Sequence, residues 1–173
     1  NMKTFTVIPD RIEAGSFLIL GALAGKKLTV TNVRPEQLES LTELLAYTGT
    51  KITTTKNSIT VTANKKKESL RGVNIRTHEY PGFPTDLQAP MVVYLTQVAG
   101  ESLVFETIFE GRLNFTESLN RMGAHISMMD PHRVIVRGPT AFKGTHFESP
   151  DLRAGLAFVI AAIIAKGESK IYN

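Results

Sequence analysis

The stretch Pro9-Asp10-Arg11-Ile12-Glu13-Ala14-Gly15-Ser16-Phe17-Leu18-Ile19-Leu20-Gly21-Ala22-Leu23-Ala24-Gly25-Lys26-Lys27-Leu28-Thr29-Val30 decides how this chain folds. It opens on a proline and an acidic residue, continues as an apolar helix, meets a glycine, and ends in a strand-like run. Aspartate is a preferred residue for capping a helix start. From Ser16 to Leu23 the helix is apolar almost all round, as expected of a helix buried inside a domain.

The same plan returns twice, and self-similarity at a fixed period is the mark of a repeat architecture. Pro84-Thr85-Asp86-Leu87-Gln88 leads through an apolar run to Ala99, then Gly100-Glu101-Ser102-Leu103-Val104-Phe105. Pro150-Asp151-Leu152-Arg153-Ala154-Gly155 leads to Ala165, then Gly167-Glu168-Ser169-Lys170-Ile171. From aspartate to glycine the three copies count 15, 14 and 16 residues. Two copies share a second half. Pro35 to Tyr47 carries Leu38, Leu41, Leu44 and Leu45 at helical spacing and ends at Thr48-Gly49, where glycine can take the left-handed cap conformation. Phe115 to Met122 ends at Gly123 in the same way. Each predicts two short strands around a polar turn: Lys51–Thr54 and Ser58–Thr62 about Lys56-Asn57, then His125–Met129 and Arg133–Arg137 about Asp130-Pro131-His132. With opening strands at Phe5–Ile8 and Val73–Arg76, the unit is strand–helix–strand–helix–strand–strand.

The expected fold class is α/β (α+β), a single truncated domain over residues 1–173. Its units cover about 4–62, 73–137 and, in part, 143–173. Ser16–Leu23, Met91–Ala99 and Leu156–Ala165 are the expected inner helices, with the sheets outside and one face of each in solvent. The third unit stops just where its next strand would pair, so the chain reads as a fragment or sub-domain.

Composition narrows the function. Hydrophobic content of 42% and charged content of 21% are ordinary for a globular protein. No apolar run reaches the roughly 18 residues of a membrane helix, no secretory signal opens the chain, and the absence of cysteine excludes disulfides and cysteine–zinc sites. A cytoplasmic protein is expected. The net charge of +4 is partly the loop-like run Lys65-Lys66-Lys67, and the basic residues are not interleaved with aromatics, which disfavours nucleic-acid binding. His78, His125, His132 and His146 lack metal-ligand spacing, so no metal and no cofactor are expected. Met128-Met129 reads as core filling.

Helix starts attract anions, because free N–H groups and the helix dipole point outward there. Asp10, Asp86 and Asp151 all stand at such starts, and each could be a simple cap. Arg11 and Arg153 lie within two residues of their aspartates. Asp86 follows the restricted approach Tyr80-Pro81-Gly82-Phe83-Pro84, and Glu110-Gly111-Arg112 lies in the strand-to-helix loop of the same unit. A carboxylate facing an arginine can handle a hydroxyl proton beside a phosphate or carboxylate.

Four segments, in order, resemble the UDP-N-acetylglucosamine enolpyruvyl transferases: Thr6-Val7-Ile8-Pro9-Asp10-Arg11-Ile12-Glu13-Ala14-Gly15, Pro81-Gly82-Phe83-Pro84-Thr85-Asp86-Leu87-Gln88, Phe105-Glu106-Thr107-Ile108-Phe109-Glu110-Gly111-Arg112 and Asp151-Leu152-Arg153-Ala154. The resemblance implies a two-domain enzyme with three such units per domain, an inside-out α/β barrel. It implies transfer of the enolpyruvyl group of phosphoenolpyruvate to the 3-hydroxyl of UDP-N-acetylglucosamine, the first committed step of peptidoglycan synthesis. By motif, Asp86 would be the general base on the sugar hydroxyl, Ile108 would meet the nucleotide sugar through its backbone, and Arg112 would pair with phosphoenolpyruvate. Asp10, Arg11, Asp151 and Arg153 would line the cleft. The family's Lys-Asn pair, its mobile cysteine (or aspartate) loop and the arginine of its Asp-Arg-Gly-Tyr-Glu segment are not in this chain, and Gly111 stands where many members have Asn. The chain alone is therefore expected to be inactive. The oligomeric state is left open. Two alternatives stand beside this one: the shikimate-pathway enolpyruvyl transferase, and a non-catalytic or nucleic-acid module of the same architecture, which RNA-terminal phosphate cyclases share in related form.

Overall fold

Asp10 starts the first helix by accepting hydrogen bonds from the N–H groups of Ile12 (2.8 Å) and Glu13 (3.1 Å) through one carboxylate oxygen. The helix, α1 (Arg11–Ala24), then runs with both flanks covered: Leu18, Ile19, Ala22 and Leu23 are all in the core. The computed structural model describes residues 4–64, 69–148 and 153–172. Lys65-Lys66-Lys67 and Asp151 lie outside the described residues.

Three strands follow α1 in the first unit, β1 (Lys27–Thr31), β2 (Lys51–Thr54) and β3 (Ser58–Thr62), all antiparallel in the order β1-β3-β2. Helix α2 (Glu39–Thr48), entered by a 3-10 turn over Pro35–Leu38, joins β1 to β2. The second unit has β4 (Ile75–Arg76), α3 (Gln88–Leu95), β5 (Gly100–Phe105), α4 (Thr116–Arg121), β6 (His125–Asp130) and β7 (Arg133–Gly138). Its sheet order is β4-β5-β7-β6, with β4 parallel to β5 and the rest antiparallel. The third unit supplies β8 (His146–Glu148), α5 (Gly155–Ile164) and β9 (Lys170–Tyr172), with β8 and β9 parallel. Helices α1, α3 and α5 touch one another and form the inner layer. Every residue of α3 is buried. The sheets lie outside them, and β2 shows most of its residues to solvent.

The repeat shows in hydrogen bonds as well as in order. Gly49 takes φ +107° and donates to the Ala46 carbonyl, while Thr50 donates to that of Leu45. Gly123, at φ +101°, donates to Asn120 while Ala124 donates to Leu119. Both are the glycine-terminated helix cap that the two Gly positions predict. A second echo was not legible in sequence. Arg71 pairs with Ala99 as Lys143 pairs with Lys166, each just before a parallel strand. The next residues, Gly72 and Gly144, pass so close to the facing backbone that a Cβ would stand 2.5 Å from the Glu101 carbonyl oxygen and 2.1 Å from that of Glu168.

Four expectations need correction. Phe5–Ile8 forms no ladder with any described residue, and Phe5 and Val7 are 86% and 77% exposed. A strand needs a neighbour's N–H and C=O groups, and this segment lies beside none. Val73–Arg76 shortens to β4, because Val73 donates to the Ser102 hydroxyl and Asn74 accepts from the Leu103 N–H where ladder bonds would be. Helix α3 ends at Leu95 rather than Ala99, since the Thr96 hydroxyl turns back onto the Val93 carbonyl. Met128 and Met129 are exposed on β6, at a register shift on the edge strand of its sheet, and do not fill the core. Among the inner helices α5 is the least covered: Ala157, Phe158, Ile160 and Ala161 are buried, whereas Val159 and Ile163 face solvent.

Tyr94, in the last turn of α3, is fully buried, and its hydroxyl meets those of Thr48 (2.6 Å) and Thr50 (2.8 Å). This polar contact ties the end of α2 to the helix that follows Asp86. Burial pushes the phenol above its ordinary value of 10.0, with the two threonine hydrogen bonds pulling the other way.

Candidate active site

Parallel strands leave a crevice at their carboxyl ends, where ligands bind in open α/β sheets. Strands β4 and β5 both end there. The chain leaves β4 at Thr77 and reaches α3 through the loop holding Phe83, Thr85 and Asp86. It leaves β5 at Glu106 and reaches α4 through Ile108, Phe109 and Arg112.

Asp86 is not a helix cap. It lies inside a 3-10 turn, Thr85–Leu87, whose cap position is held by Pro84, and no side chain caps either this turn or α3. Its carboxylate instead pairs with the Arg112 guanidinium across 26 residues of sequence. The Asp86 side chain is 47% exposed and that of Arg112 only 5%. The buried arginine thus holds a carboxylate that still faces solvent. Its other terminal nitrogen donates to the Thr85 hydroxyl at 2.6 Å.

Behind this pair sits Glu106, fully buried. One of its oxygens accepts from the Thr77 hydroxyl (3.0 Å) and from the N–H groups of Ile108 (2.8 Å) and Phe109 (3.2 Å). The other accepts from the Thr85 hydroxyl at 2.8 Å. A buried carboxylate is tolerable only when hydrogen-bonded in this way. Because the Ile108 N–H is committed to Glu106, the backbone group Ile108 can offer a ligand is its carbonyl.

Two aromatic rings join the units. Phe109 lies under Arg112 (5.1 Å from guanidinium carbon to ring centre) and under Arg153 (5.3 Å), so the loop of the second unit meets the helix start of the third. Tyr80 lies under Arg11 at 5.2 Å. Cation–π contacts of this kind hold a guanidinium in place without neutralising it. A cavity of about 480 Å³ beside Tyr80 is lined by Pro9, Asp10, Arg11 and Gln37 among others. Of the residues expected at the site, then, Asp86, Ile108, Arg112 and Arg153 are linked through Glu106 and Phe109. Asp10 and Arg11 form a neighbouring group around Tyr80, in which the Asp10 carboxylate caps α1. Among the described residues no group of three His, Asp or Glu side chains could hold a metal ion.

Sequence reasoning did not single out Thr77, Thr85, Glu106, Phe109 or Tyr80. Glu106 and Thr85 stood inside segments quoted for other residues, and only their burial and shared hydrogen bonds set them apart.

The family model for EPSP synthase (3-phosphoshikimate 1-carboxyvinyltransferase) matches residues 1–173. The chain belongs to the EPSP synthase family. Within it, similar proteins include the UDP-N-acetylglucosamine 1-carboxyvinyltransferase of Prochlorococcus marinus (strain MIT 9312), 44% identical over 98% of this chain and 36% of that protein. UDP-N-acetylglucosamine 1-carboxyvinyltransferase 2 of Bacillus cereus (strain ATCC 14579) is also 44% identical, over 96% of this chain and 38% of its own length. Among solved structures, the enolpyruvyl transferase NikO of Streptomyces tendae superposes with a TM-score of 0.88 at 24% identity, covering 98% of this chain and 40% of that one. EPSP synthase of Acinetobacter baumannii gives 0.74 at 16% identity with the same coverage. These superpositions bear on the fold, which is that of the enolpyruvyl transferases. This member of the EPSP synthase family spans well under half the length of its relatives, and no helix among its described residues is long and apolar enough to cross a membrane.

Proposed function

We propose that the intact protein containing this chain transfers the enolpyruvyl group of phosphoenolpyruvate to the 3-hydroxyl of UDP-N-acetylglucosamine. The observation that carries this reading is the Asp86–Arg112 pair: a half-exposed carboxylate, released from capping duty, held by a buried arginine at the carboxyl ends of two parallel strands. The 44% identity to enzymes bearing that activity in their names supports the nucleotide sugar over shikimate phosphate as acceptor.

In this reaction a bond forms between the sugar oxygen and C2 of the enolpyruvyl group, and the bond from C2 to the phosphate oxygen breaks. The hydroxyl proton leaves, in net balance, with the phosphate. Asp86 accepts that proton as the oxygen attacks, which requires a base within hydrogen-bond reach. Arg112 presents a planar fork suited to a phosphate or carboxylate, and a phosphoenolpyruvate arriving there would draw it from Asp86 and free the carboxylate for the hydroxyl. The Ile108 carbonyl orients the nucleotide sugar. Arg153, Arg11 and Asp10 frame the cleft. The setting is the cytoplasm, at the entry to peptidoglycan synthesis, with the remaining contacts to both substrates made by parts of the protein outside this chain.

Phosphate release by the intact protein tests the proposal. Release that requires both phosphoenolpyruvate and UDP-N-acetylglucosamine is expected, and the chain by itself should give none. Release with shikimate 3-phosphate in place of the nucleotide sugar would overturn the choice of acceptor.

A further inference from the structure

We propose that Glu106 and Thr85 are positioning residues for this reaction: a hydrogen-bond relay, Arg112 to Thr85 to Glu106, sets the guanidinium that faces the anionic substrate. The inference rests on the function proposed above and extends it to two residues that touch neither reacting atom.

The direction of the relay follows from donor and acceptor chemistry. Arginine can only donate, so the Thr85 oxygen must accept from Arg112 at 2.6 Å. The Thr85 hydroxyl hydrogen is then turned to the Glu106 oxygen 2.8 Å away. Four donors and no acceptor meet Glu106, which suits the acceptor-only carboxylate. Each link therefore runs one way, and a charge-assisted chain of this kind polarises along its length.

Glu106 also fastens the two loops that carry the site. Its first oxygen holds Thr77, at the start of the loop that ends in Asp86, and the N–H groups of Ile108 and Phe109 in the loop that ends in Arg112. Thr77 is fixed in turn from the other side: its hydroxyl accepts from the Thr107 N–H at 2.8 Å, and the Thr107 hydroxyl donates to the Thr77 carbonyl at 2.5 Å. Arg112 is thus set between two carboxylates, Asp86 directly and Glu106 through Thr85. When the substrate draws the guanidinium from the exposed Asp86, the buried link to Thr85 remains as its anchor.

Thr85→Val keeps the shape of the side chain and cuts the relay, leaving an Arg112 nitrogen and a Glu106 oxygen without partners. Glu106→Gln replaces one oxygen with a donor, which leaves Thr85 facing two donors and breaks the relay. In the intact protein each should lower kcat/KM for phosphoenolpyruvate about 10- to 100-fold, the loss expected when a reacting group is displaced by roughly 1 Å. Thr85→Ser restores the hydroxyl and should return activity to within about 3-fold of the parent.

The decisive measurement repeats Thr85→Val and Glu106→Gln in an Arg112→Lys background, recording phosphate release and melting temperature together. Residues that act only through Arg112 should then cost less than about 3-fold more in kcat/KM, while their effect on melting stays as it was. An equal fold-loss in both backgrounds would show a general structural role and overturn the proposal, as would normal kcat/KM in Thr85→Val. Should Glu106→Gln fail to fold, the Thr85 pair of variants carries the test alone. An intact parent with no turnover of these two substrates removes the functional reading, and the positioning role with it. Turnover in the parent with an unaffected Thr85→Val removes the positioning role only.

Discussion

Among the described residues, two helix starts use an aspartate after a proline, and they put it to opposite uses. In the first unit Asp10 directly follows Pro9, and its carboxylate turns inward to accept the N–H groups of Ile12 and Glu13. In the second unit Thr85 stands between Pro84 and Asp86. That one residue moves the aspartate inside a 3-10 turn, beyond the position from which it could cap, and its carboxylate reaches Arg112 instead. The same insertion supplies the hydroxyl that links Arg112 to Glu106. A repeated architecture thus frees the aspartate from capping in one copy by a shift of one residue. The copy left in place keeps the aspartate as a structural cap.

Substituting Asp86 tests this contrast with the largest effect. Asp86→Asn keeps the shape and removes the base, so phosphate release by the intact protein should fall about 10²- to 10⁴-fold, with melting almost unchanged because no cap is lost. Asp86→Glu should lose about 100-fold through displacement. Near-normal turnover in Asp86→Asn would return Asp86 to the same structural class as Asp10.

Gly111 is the next point at which the comparison can be sharpened, because it sits beside Arg112 at φ +71°. Gly111→Val should cost about 1–2 kcal/mol, the penalty for a branched residue in left-handed backbone. Gly111→Asn should cost much less, since asparagine tolerates this region and a Cβ there has room, with Asn114 3.5 Å away. Equal melting of the two variants would mean that this loop does not need its left-handed turn.

Eight residues after each aspartate the two helices differ again, with Leu18 in α1 and Tyr94 in α3, both buried. Tyr94→Phe should cost about 0.5–1.5 kcal/mol at neutral pH through its lost hydrogen bonds. Its phenol is raised in the folded state, so the stability it contributes is whole below about pH 10 and lost as pH rises beyond that toward the folded value. Melting followed from pH 8 to 11 should therefore fall more steeply in the parent than in Tyr94→Phe, and parallel curves would refute the assignment.

The smallest effect belongs to the cap. Asp10→Ala should lower stability by about 1 kcal/mol, and Asp10→Asn by much less, because asparagine caps as well as aspartate. A loss in Asp10→Asn as large as in Asp10→Ala would mean that the charge, rather than the cap geometry, is what the first helix start requires.

How much of this was legible in the chain depended on how local each feature is. The repeat, the inner helices, the hairpins at Lys51–Thr62 and His125–Arg137 and the two glycine caps follow from periodicity and backbone conformation within a few residues, and all were predicted. The four family segments located Asp86 and Arg112, and an aspartate facing an arginine was foreseen. By contrast, all three aspartates look like caps from their neighbours alone. In sequence Asp86 differs from Asp10 by the intervening Thr85, but what its carboxylate does shows only when a guanidinium arrives from 26 residues away. Glu106 gave no signal either, since a glutamate at the end of a strand is ordinarily solvated, and its complete burial arises only when the loops after β4 and β5 close over it. The ring of Phe109 shared by Arg112 and Arg153 belongs to the docking of one unit on the next. Phe5–Ile8 has strand-like alternation yet no described partner, because a hydrogen-bond ladder is a property of two segments. Local backbone preference and hydrophobic period set the elements of this protein. Which carboxylate caps, which one pairs with Arg112 and which one is buried to hold the others was decided by contacts that exist only after the units have packed.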